Sequence, residues 1–447
     1  MKRYENYKPT GTKWLADIPA SWTCKKISEL FSQRKVKVSD KDYPPISVTK
    51  NGILPQLKTA AKTDDGDNRK LVLVGDFVIN SRSDRKGSCG VSALDGSVSL
   101  INIVLQPRNE LSGQYAHYLL RSQPFSEEYY RNGRGIVADL WTTRYSEMKS
   151  ILLPVPPRTE QDQIVRYLDW QVSKINRLIA AKKKQIECLR EQFSTVINDT
   201  ISGRNVSTSK VYSGYSMFGN IPQGWHIRPF SKIAKVKSNL VNPTDYLDMP
   251  QISPASIEKN TGRIIKECTV EGSGVSSPNH HFFKGQIVYS KIRPLLNKAV
   301  IAPYDGLCSA DMYPIETILD TEYLLYYLLS ESFLQQLSIS GNRVKMPKIN
   351  QEELGATLVL FPDMKVQKEI VNYIKNKCGI IQRTIDVFLT QIASIIELRT
   401  RLISDAVTGH IDVRDVEIPD FEYTPETDDD GEDTAEEEND DMIEEEV

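Results

Sequence analysis

The sequence predicts an α/β protein with a pseudo-twofold internal repeat: two mixed α/β globules joined by two long helices that form an antiparallel coiled coil. Three observations lead to this fold class. One unit of about 205 residues occurs twice, each copy begins with short β-branched runs punctuated by glycine and proline, and each ends in a long heptad pattern. The predicted segments are 1–155 and 206–361 for the globules, 156–205 and 362–412 for the helices, and 413–447 for an acidic tail.

The repeat consists of four blocks that recur in the same order, which chance does not produce. The matched blocks are 18–22 with 221–225, 75–78 with 285–288, 115–133 with 323–341, and 161–167 with 367–373. The first block reads Ile-Pro-x-x-Trp in both copies. The spacing between copies drifts from 203 to 210 residues, as loop insertions would cause. Both globules are therefore expected to share one fold, with one helical stretch, 113–131 or 321–339, among the strands.

Apolar residues after each globule recur at alternating steps of four and three, which is the period of a coiled-coil seam. The charged breaks in this pattern are Lys182 and Arg399, and each is apolar in the other copy. Gly203 and Gly409 follow the patterns, where a helix C-terminal cap belongs. The predicted seam residues are Leu168, Ile175, Ile179, Ile186, Leu189 and Phe193 in the first copy, and Ile374, Ile381, Ile385, Phe388, Ile392 and Ile395 in the second.

The length of these patterns favours pairing between the two helices. Helices of ~40 residues are long for packing on one globule, because globular helices usually run ~8–20 residues. At ~1.5 Å per residue, 159–203 spans roughly 65 Å and carries the chain away from the first globule. The second helix can match its seam to the first only by running back antiparallel. We therefore expect a rod with a globule at each end; the alternative is two amphipathic helices, each packed on its own globule.

Charge divides the chain into a basic body and an acidic tail. The whole chain has 56 basic and 59 acidic residues, but 18 of the acidic ones and none of the basic ones lie in 415–447. The other 414 residues, with 41 acidic and 56 basic side chains, carry a net charge of +15. This charge indicates a polyanion partner, most simply nucleic acid, although a solvated basic surface has the same composition. The tail is predicted to be disordered, and either to compete with DNA for the basic surface or to act only as a solubilising segment.

Several functional classes lack their sequence features here. No run of ~18 apolar residues and no apolar stretch after the N-terminus occur, so neither a membrane span nor a secretory signal is expected. Six scattered cysteines without a Cys-x-x-Cys pair argue against zinc ribbons and disulfides and for a cytoplasmic protein. Neither a Gly-x-x-x-x-Gly-Lys-Ser/Thr phosphate loop nor the Asn/Asp-Pro-Pro-aromatic motif of amino-methyltransferases is present. His280 and His281 are neighbours on a predicted strand and point to opposite faces, so no shared metal is expected.

Candidate DNA contacts lie in basic loops that align between the copies. Arginine can hold a guanine with two hydrogen bonds, whereas lysine mostly binds phosphate, and glycine lets a backbone approach a phosphate closely. Each candidate could instead be a solvated loop charge, and base identity does not follow from these residues. The candidates are Arg82, Arg85, Lys86, Arg131 and Arg134 in the first globule, and Lys291, Arg293, Asn297, Lys298, Asn342, Arg343 and Lys345 in the second.

Several motifs resemble the conserved regions of type I restriction–modification specificity (S) subunits. Residues 154–164, Pro-Val-Pro-Pro-Arg-Thr-Glu-Gln-x-x-Ile, precede a long helix that ends in Thr-Ile-Ser-Gly, as is typical of that family. The second copy is similar, with Val366-Gln367 in place of the Glu-Gln pair. The opening at 7–22, with Trp14 and the Ile-Pro-x-x-Trp block, is also typical. The resemblance covers residues 1–412 and leaves out the acidic tail.

The resemblance implies how such a protein acts. Each globule would be a target recognition domain that reads one half of a bipartite double-stranded DNA sequence. The helices would set the spacer and dock two methyltransferase (M) subunits, and two restriction (R) subunits would complete the complex. S-adenosylmethionine, ATP and Mg²⁺ would be bound by these partners, and this chain would have no catalytic activity. The alternative function is a stand-alone nuclease or methylase whose active site carries no recognised motif.

Overall fold

The computed structural model describes residues 2–57, 66–108, 110–135, 141–340 and 348–426. The chain divides into two compact units, the first of which combines two separate stretches of the sequence. Among the described residues, unit 1 consists of 2–182 and 390–426, and unit 2 of 183–389. Each unit thus combines one globule with half of each long helix, whereas the sequence prediction places globules and helices in consecutive segments.

The globule of unit 1 has the predicted mixed α/β fold and leads into the first long helix, α5 (Arg158–Ile201). Its shorter helices are α1 (Ile27–Leu30), α2 (Gly113–Arg121), α3 (Gln123–Arg131) and α4 (Tyr145–Met148). Its strands are β1 (Tyr7–Pro9), β2 (Asp17–Pro19), β3 (Thr23–Lys26), β4 (Phe31–Arg34), β5 (Lys37–Val38), β6 (Ile46–Thr49), β7 (Gly52–Pro55), β8 (Arg69–Val72), β9 (Phe77–Asn80), β10 (Cys89–Val91), β11 (Gly96–Val98), β12 (Asn102–Pro107) and β13 (Leu152–Val155). An antiparallel sheet has the order β10-β9-β12-β4, and its Phe31 and Phe77 are buried in one core with Tyr115 of α2.

The globule of unit 2 repeats this arrangement and leads into the second long helix. Its strands are β14 (Lys210–Tyr212), β15 (Asn220–Pro222), β16 (His226–Pro229), β17 (Ala234–Val236), β18 (Leu240–Val241), β19 (Pro250–Ile252), β20 (Cys268–Thr269), β21 (Asn279–Phe282), β22 (Ile287–Ser290), β23 (Ala299–Ile301), β24 (Gly306–Cys308), β25 (Met312–Thr317) and β26 (Leu358–Phe361). Its helices are α6 (Val270–Ser273), α7 (Thr321–Leu328), α8 (Glu331–Ser340), α9 (Gln351–Ala356) and the long α10 (Met364–Val407). The sheet order β17-β25-β22-β23 is that of β4-β12-β9-β10 in unit 1, which confirms the shared fold.

The helical stretch predicted in each globule is two helices rather than one. In unit 1, α2 and α3 are separated at Ser122, whose backbone is extended (φ −64°, ψ 147°). Pro124 follows in the first turn of α3, where a missing N–H does no harm. The proline and the serine before it therefore end one helix and begin the next.

The two long helices confirm the predicted coiled-coil pairing. Helices α5 and α10 each run for 44 residues, and all the predicted seam residues are buried or half-buried. In unit 1, Lys182 Nζ donates to Gln391 Oε1 at 2.6 Å and Arg399 Nη1 donates to Asn176 Oδ1 at 2.9 Å, so the helices run antiparallel. By length and composition α10 is also apolar enough to cross a membrane. Of its apolar residues, the seam residues Ile374, Ile385 and Ile392 are buried, whereas Ile380, Val387 and Leu398 are exposed.

The two charged breaks in the seam each have a polar partner across the helix pair in unit 1. Asn176 is buried, so losing Arg399 would leave its amide oxygen without a donor, at a cost of ~1–3 kcal/mol. In the other copy the same heptad positions carry Phe193 and Phe388. A polar pair within an apolar seam fixes the register of the helices. Sliding one helix along the other would bury the charged side chain of Lys182 or Arg399 against apolar residues.

Each long helix ends on the globule of the other copy. Gly203, at the end of α5, and Gly409, at the end of α10, have positive φ angles of 68° and 80°, which glycine adopts without strain. In unit 2 the space beside Gly203 is filled by Pro222, and in unit 1 the space beside Gly409 is filled by Pro19, so a Cβ would clash at either position. The repeated glycine and the repeated Ile-Pro-x-x-Trp block are therefore two sides of one contact.

A buried glutamine joins the start of each long helix to its own globule. Gln161 accepts a hydrogen bond from Ser112 N–H at 2.8 Å and donates to Pro156 O at 2.9 Å. Gln367 is equally buried and accepts from Asp320 N–H at 2.9 Å. Because both glutamines hold the residue that precedes a globule helix, the motif keeps glutamine in both copies.

The residue immediately before this glutamine, Glu160 or Val366, differs between the copies for a local reason. The Glu160 carboxylate accepts hydrogen bonds from Tyr4 Oη and, at 2.9 Å, from Trp22 Nε1. Its counterpart in the second copy is Val366, and the residue aligned with Tyr4 is Ser207. A buried carboxylate is retained where donors surround it and is replaced by an apolar residue where the tyrosine is missing.

Replacing Gln161 with alanine is expected to lower the free energy of unfolding by ~2–4 kcal/mol. The change removes a buried group with several hydrogen bonds and leaves Ser112 N–H and Pro156 O without partners. Urea unfolding followed by circular dichroism would measure the loss. Gln185→Ala, at an exposed position of α5, is the matched control and should change stability by less than ~0.5 kcal/mol. Equal losses for both variants would contradict this role for Gln161.

The start of the acidic tail differs from the prediction of a disordered segment. Residues 413–426, termed the C-terminal strap, lie along α5 and α10 in unit 1. Gln163 Nε2 donates to Val413 O at 3.0 Å, and Asn176 Nδ2 donates to Thr424 O at 2.9 Å. Helix side chains thus satisfy the strap backbone, a contact that charge composition does not reveal. The rest of the tail lies outside the described residues.

Candidate nucleic-acid interface

The two basic loops predicted in the first globule come together in unit 1. The segments that meet are 81–87 after β9, 131–135 after α3, and 141–144 before α4. Arg134 and Thr142 exchange two backbone hydrogen bonds of 2.9 Å, and Thr143 N–H donates to Ser81 O at 2.9 Å. The third segment therefore ties both loops into one surface, termed loop surface 1.

Loop surface 1 is positively charged. Arg131 pairs with Glu128 at 2.9 Å, and Arg85 lies 3.8 Å from Asp84. The three segments carry six basic side chains, including Arg144, and the carboxylates beside them are Asp84, Glu128 and Glu147. The excess positive charge suits a polyanion. The predicted contacts that are exposed on this surface are Arg82, Arg85, Lys86, Arg131 and Arg134.

An aromatic pair that sequence reasoning missed supports the same surface. The rings of Tyr130 and Trp141 lie 5.8 Å apart at an interplanar angle of 30°, and Trp141 Nε1 donates to Tyr130 O at 2.9 Å. Lys86 Nζ lies 5.1 Å from the centre of the Tyr130 ring. Aromatic residues beside basic ones are a known feature of nucleic-acid interfaces, and Tyr130 next to Arg131 in the chain was the signal available.

Gly133 has a different role from the one predicted. The loop sequence suggests that its freedom serves a close approach of phosphate. In the structure a Cβ at Gly133 would lie 2.7 Å from Thr143 Oγ1 and would also overlap the Trp141 indole. The glycine is needed because the third segment packs directly against its Cα.

Unit 2 repeats this construction with different side chains. The loop after β22 contains Ile292, which forms an isolated β-bridge with Lys348, and Ile349 N–H donates to Lys291 O at 2.9 Å. Lys348 stands 206 residues after Thr142, the residue that joins the loops in unit 1. We term this region loop surface 2; its exposed Lys348 replaces a threonine.

One predicted contact in unit 2 is corrected by its burial, and a second is partly covered by its neighbours. Asn297 is fully buried and therefore does not face DNA. Lys291 Nζ donates to Ala310 O at 2.7 Å and lies 3.7 Å from Asp311, which leaves its side chain 23% exposed. Burial of this kind depends on tertiary packing, which loop composition does not report. Arg293 and Lys298 are half-buried, while Asn342, Arg343 and Lys345 lie outside the described residues.

Histidine and acidic residues do not gather into a metal site within the described ranges: no group of three or more His, Cys, Asp or Glu could hold an ion there. On β21, His280 is buried and His281 is half-buried. The half-buried His117 of α2 accepts a hydrogen bond from Val91 N–H at 3.3 Å, and its other nitrogen lies 2.8 Å from Arg121 Nη1. Burial, and secondarily Arg121, lower the pKa of His117 to about 3.

His117 is expected to make unit 1 sensitive to acid. The folded chain keeps this imidazole neutral, whereas the unfolded chain protonates it below the ordinary histidine pKa of about 6.5. Stability from this group is therefore present above pH 6.5 and falls toward pH 3, by ~2 kcal/mol at pH 5. In urea unfolding, His117→Asn should show a smaller loss of stability between pH 7 and 5 than the parent chain. His226→Asn, at an exposed position, should keep the parental pH dependence.

Comparisons with known proteins agree with this geometry. Residues 222–386 match the family model described as type I restriction modification DNA specificity domain. The chain is 31% identical over 278 residues to the type I restriction enzyme EcoDI specificity subunit of Escherichia coli, covering 59% of this chain and 62% of that protein. It is 22% identical over 285 residues to the type I restriction enzyme MjaVIII specificity subunit of Methanocaldococcus jannaschii, covering 60% of this chain and 64% of that protein. These alignments span less than two thirds of both relatives.

A solved structure shares the fold over a longer range. A chain from a structural study of complex assembly and conformational transition in the type I R-M system matches 88% of this chain and 99% of its own length, with a TM-score of 0.57 and 14% identity. The fold and the two loop surfaces define an internally duplicated α/β protein with paired long helices. Within that class, the chain is similar to type I restriction–modification specificity subunits, through the domain matched at residues 222–386 and the relatives above.

Proposed function

We propose that the chain is the DNA sequence-specificity subunit of a type I restriction–modification complex and reads a bipartite target, one half-site per globule. The observation that carries this proposal is the construction of the two loop surfaces. Each joins the loop after an equivalent strand, β9 or β22, to a segment held by Thr142 or Lys348. One scaffold with two sets of side chains is what a protein needs to read two different half-sites.

The chemistry of loop surface 1 supports contact with duplex DNA. Arg82 and Arg134 are exposed on segments fixed by backbone hydrogen bonds, so their guanidinium groups are available for guanine edges or phosphate. Tyr130 and Trp141 lie beside them and provide a flat apolar face. Contacts to phosphate would position the globule, and contacts to base edges would carry the sequence information.

The long helices are proposed to dock two methyltransferase subunits, and restriction subunits would join the full complex. S-adenosylmethionine, ATP and Mg²⁺ would be bound by those partners, and the chain itself would not catalyse a reaction. The support for these assignments is the similarity to the matched relatives, which are named as specificity subunits of type I restriction enzymes.

Methylation mapping is the experiment that tests the proposal. Cells carrying the chain together with its neighbouring methyltransferase should acquire adenine methylation at one bipartite sequence. The purified chain incubated alone with Mg²⁺ and S-adenosylmethionine should neither methylate nor cleave DNA. Specific methylation or cleavage by the pure chain would instead identify a stand-alone enzyme.

Loss of two arginines from loop surface 1 should lower the affinity for DNA and make that affinity less dependent on salt concentration. Arg82→Ala combined with Arg134→Ala is expected to reduce affinity ~10–100-fold and to lower the slope of log K against log [salt] by ~2, if both contact phosphate. Fluorescence anisotropy of a labelled duplex over a range of salt concentrations would measure both quantities. Arg158→Ala combined with Arg166→Ala, at two exposed arginines of α5, is the charge-matched control. An unchanged slope in the double variant would exclude phosphate contact by this pair.

A further inference from the structure

A cavity of about 290 Å³ lies within unit 2, between the globule and the unit 2 halves of α5 and α10. Its lining combines basic and apolar side chains. The basic residues are Arg190, Lys259, Arg293 and Lys298, and Glu258 is the acidic residue of the lining. The apolar residues are Phe193, Ile257, Ile265, Leu296 and Ile385. Such a lining suits an anionic group that also carries apolar side chains.

The backbone around this cavity is strained. Among the described residues, the non-glycine residues with positive φ are Asn260 (64°), Arg293 (44°) and Asn297 (53°). Asn260 and Arg293 line the cavity, and Asn297 lies between Leu296 and Lys298, which also line it. Non-glycine residues seldom adopt this conformation, and those that do cluster at ligand sites. The Asn297 side chain is fully buried, and neither of its polar atoms has a hydrogen-bond partner.

The equivalent position on the helix pair of unit 1 indicates what the cavity can bind. There the C-terminal strap ends between the helices: Thr424 O accepts from Asn176 Nδ2 at 2.9 Å, and the Glu426 carboxylate pairs with Arg399. Glu422 O accepts from Arg177 Nη2 at 2.9 Å. An acidic, extended stretch of chain therefore fills this position in unit 1.

The repeat relates the end of the strap to the cavity. The counterpart of Asn176, 206 residues later, is Gln382, and the counterpart of Arg399, 206 residues earlier, is Phe193. Gln382 and Phe193 both line the cavity. Equivalent positions on the helix pair thus contact an acidic segment in unit 1 and border an open, basic cavity in unit 2.

The remaining tail has the matching composition. Residues 427–447 contain 13 acidic and no basic side chains. Within them, Met442 and Ile443 form an apolar pair between Asp440-Asp441 and three glutamates. This order, acidic then apolar then acidic, matches a cavity with basic residues around apolar ones. A DNA duplex does not suit it, because a cavity of about 290 Å³ admits a few side chains and not a double helix.

The tail can also extend far from its last described residue. The chain from Glu426 to Asp440 is 14 residues and spans up to ~46 Å when extended. We infer that residues 440–446 of the acidic tail bind in the unit 2 cavity, with Met442 and Ile443 against its apolar residues and the flanking carboxylates against its basic ones.

A truncated chain ending at Glu426 provides the test, because it keeps every described residue and lacks only the proposed ligand. A fluorescent peptide of residues 427–447 should bind this chain with one-to-one stoichiometry in anisotropy titrations. It should bind the full chain at least tenfold more weakly, because the tethered tail occupies the site. Absence of binding to the truncated chain, or equal binding to both chains, would overturn the inference.

Two sets of variants separate a specific site from general charge attraction. A peptide with Met442→Ser and Ile443→Ser keeps all its charges and should bind at least tenfold more weakly. Arg190→Glu with Lys259→Glu in the truncated chain should have a similar effect. The control, Lys184→Glu with Lys365→Glu, makes the same charge change at exposed helix positions outside the lining and should leave binding within twofold.

The controls also define the contrary results. Equal weakening by the control pair, or no effect of the serine peptide, would show that the tail binds only as a polyanion. If the Arg190 and Lys259 changes weakened duplex binding but not peptide binding, the cavity would be a nucleic-acid contact and the inference would be wrong. The peptide readout involves no methylation, so its outcome does not depend on the proposed function.

Discussion

Exchange of residues 213–360 for the corresponding segment of a known type I specificity subunit is expected to replace one half of the proposed DNA target and leave the other half unchanged. The exchanged segment contains loop surface 2, from the loop after β22 to Lys348. Loop surface 1 is built from residues 81–144 and shares no residue with it. Each surface is thus replaced as a whole, and the expected result is a complete switch of one half-site.

Methylation mapping of the exchanged chain would measure this result directly. The exchange points lie outside the long helices, which end at Ile201 and begin at Met364, so docking of methyltransferase should be retained. The reciprocal exchange, with residues 213–360 placed in the other subunit, is the control and should carry the same half-site with it. A change in both halves of the target would show that the globules do not read DNA separately.

Insertion of one heptad into each long helix is expected to lengthen the spacer between half-sites by about three base pairs. The insertions belong between Ile179 and Ile186 in α5 and between Ile385 and Ile392 in α10, where the seam pattern continues unchanged after seven residues. Seven residues add ~10 Å of helix, and base pairs are ~3.4 Å apart along one strand. Both half-site sequences should stay the same because the globules are unaltered.

Insertion into only one helix is the matched control. It would shift α5 against α10 by one heptad on one side of the insertion. The pair Asn176–Arg399 lies on one side and the pair Phe193–Cys378 on the other, so the two pairs could not form together. We expect a loss of several kcal/mol in unfolding free energy, since buried polar and apolar groups lose their partners. If the double insertion methylated the original spacer at full efficiency, the helices would not set the distance and would serve only as a docking surface.

The parts of the fold that the sequence predicts are those specified by local patterns. The residues that the heptad steps predict for the seam are buried or half-buried, and glycine follows both long helices, because period and φ preference are properties of neighbouring residues. The repeat adds a second copy of each signal. The break at Ser122 was missed because the stretch around it is amphipathic on both sides, and one proline at the first turn is compatible with a helix start.

The candidate site was less predictable because its geometry depends on distant segments. Residues 141–144 join two loops that lie about 50 residues apart in the chain, and no local pattern in the sequence indicates this contact. Asn297 has the composition of a loop residue and is nevertheless fully buried. The C-terminal strap has a composition typical of disorder, yet polar side chains of α5 bind its backbone carbonyls. Charge counting does not include such backbone contacts.

The contact between Gly409 and Pro19 has a consequence for how a duplicated gene of this kind arises. A single repeat, ending near Gly203, would lack the helix end that covers its own Ile-Pro-x-x-Trp block. Two copies of that half-length chain could supply this cover to each other, each donating a helix to its neighbour. Fusion of the two copies turns an association that depends on protein concentration into an intramolecular one. It also frees the two copies to diverge, so that a symmetric ancestor bound to a palindrome could become a reader of two unlike sequences.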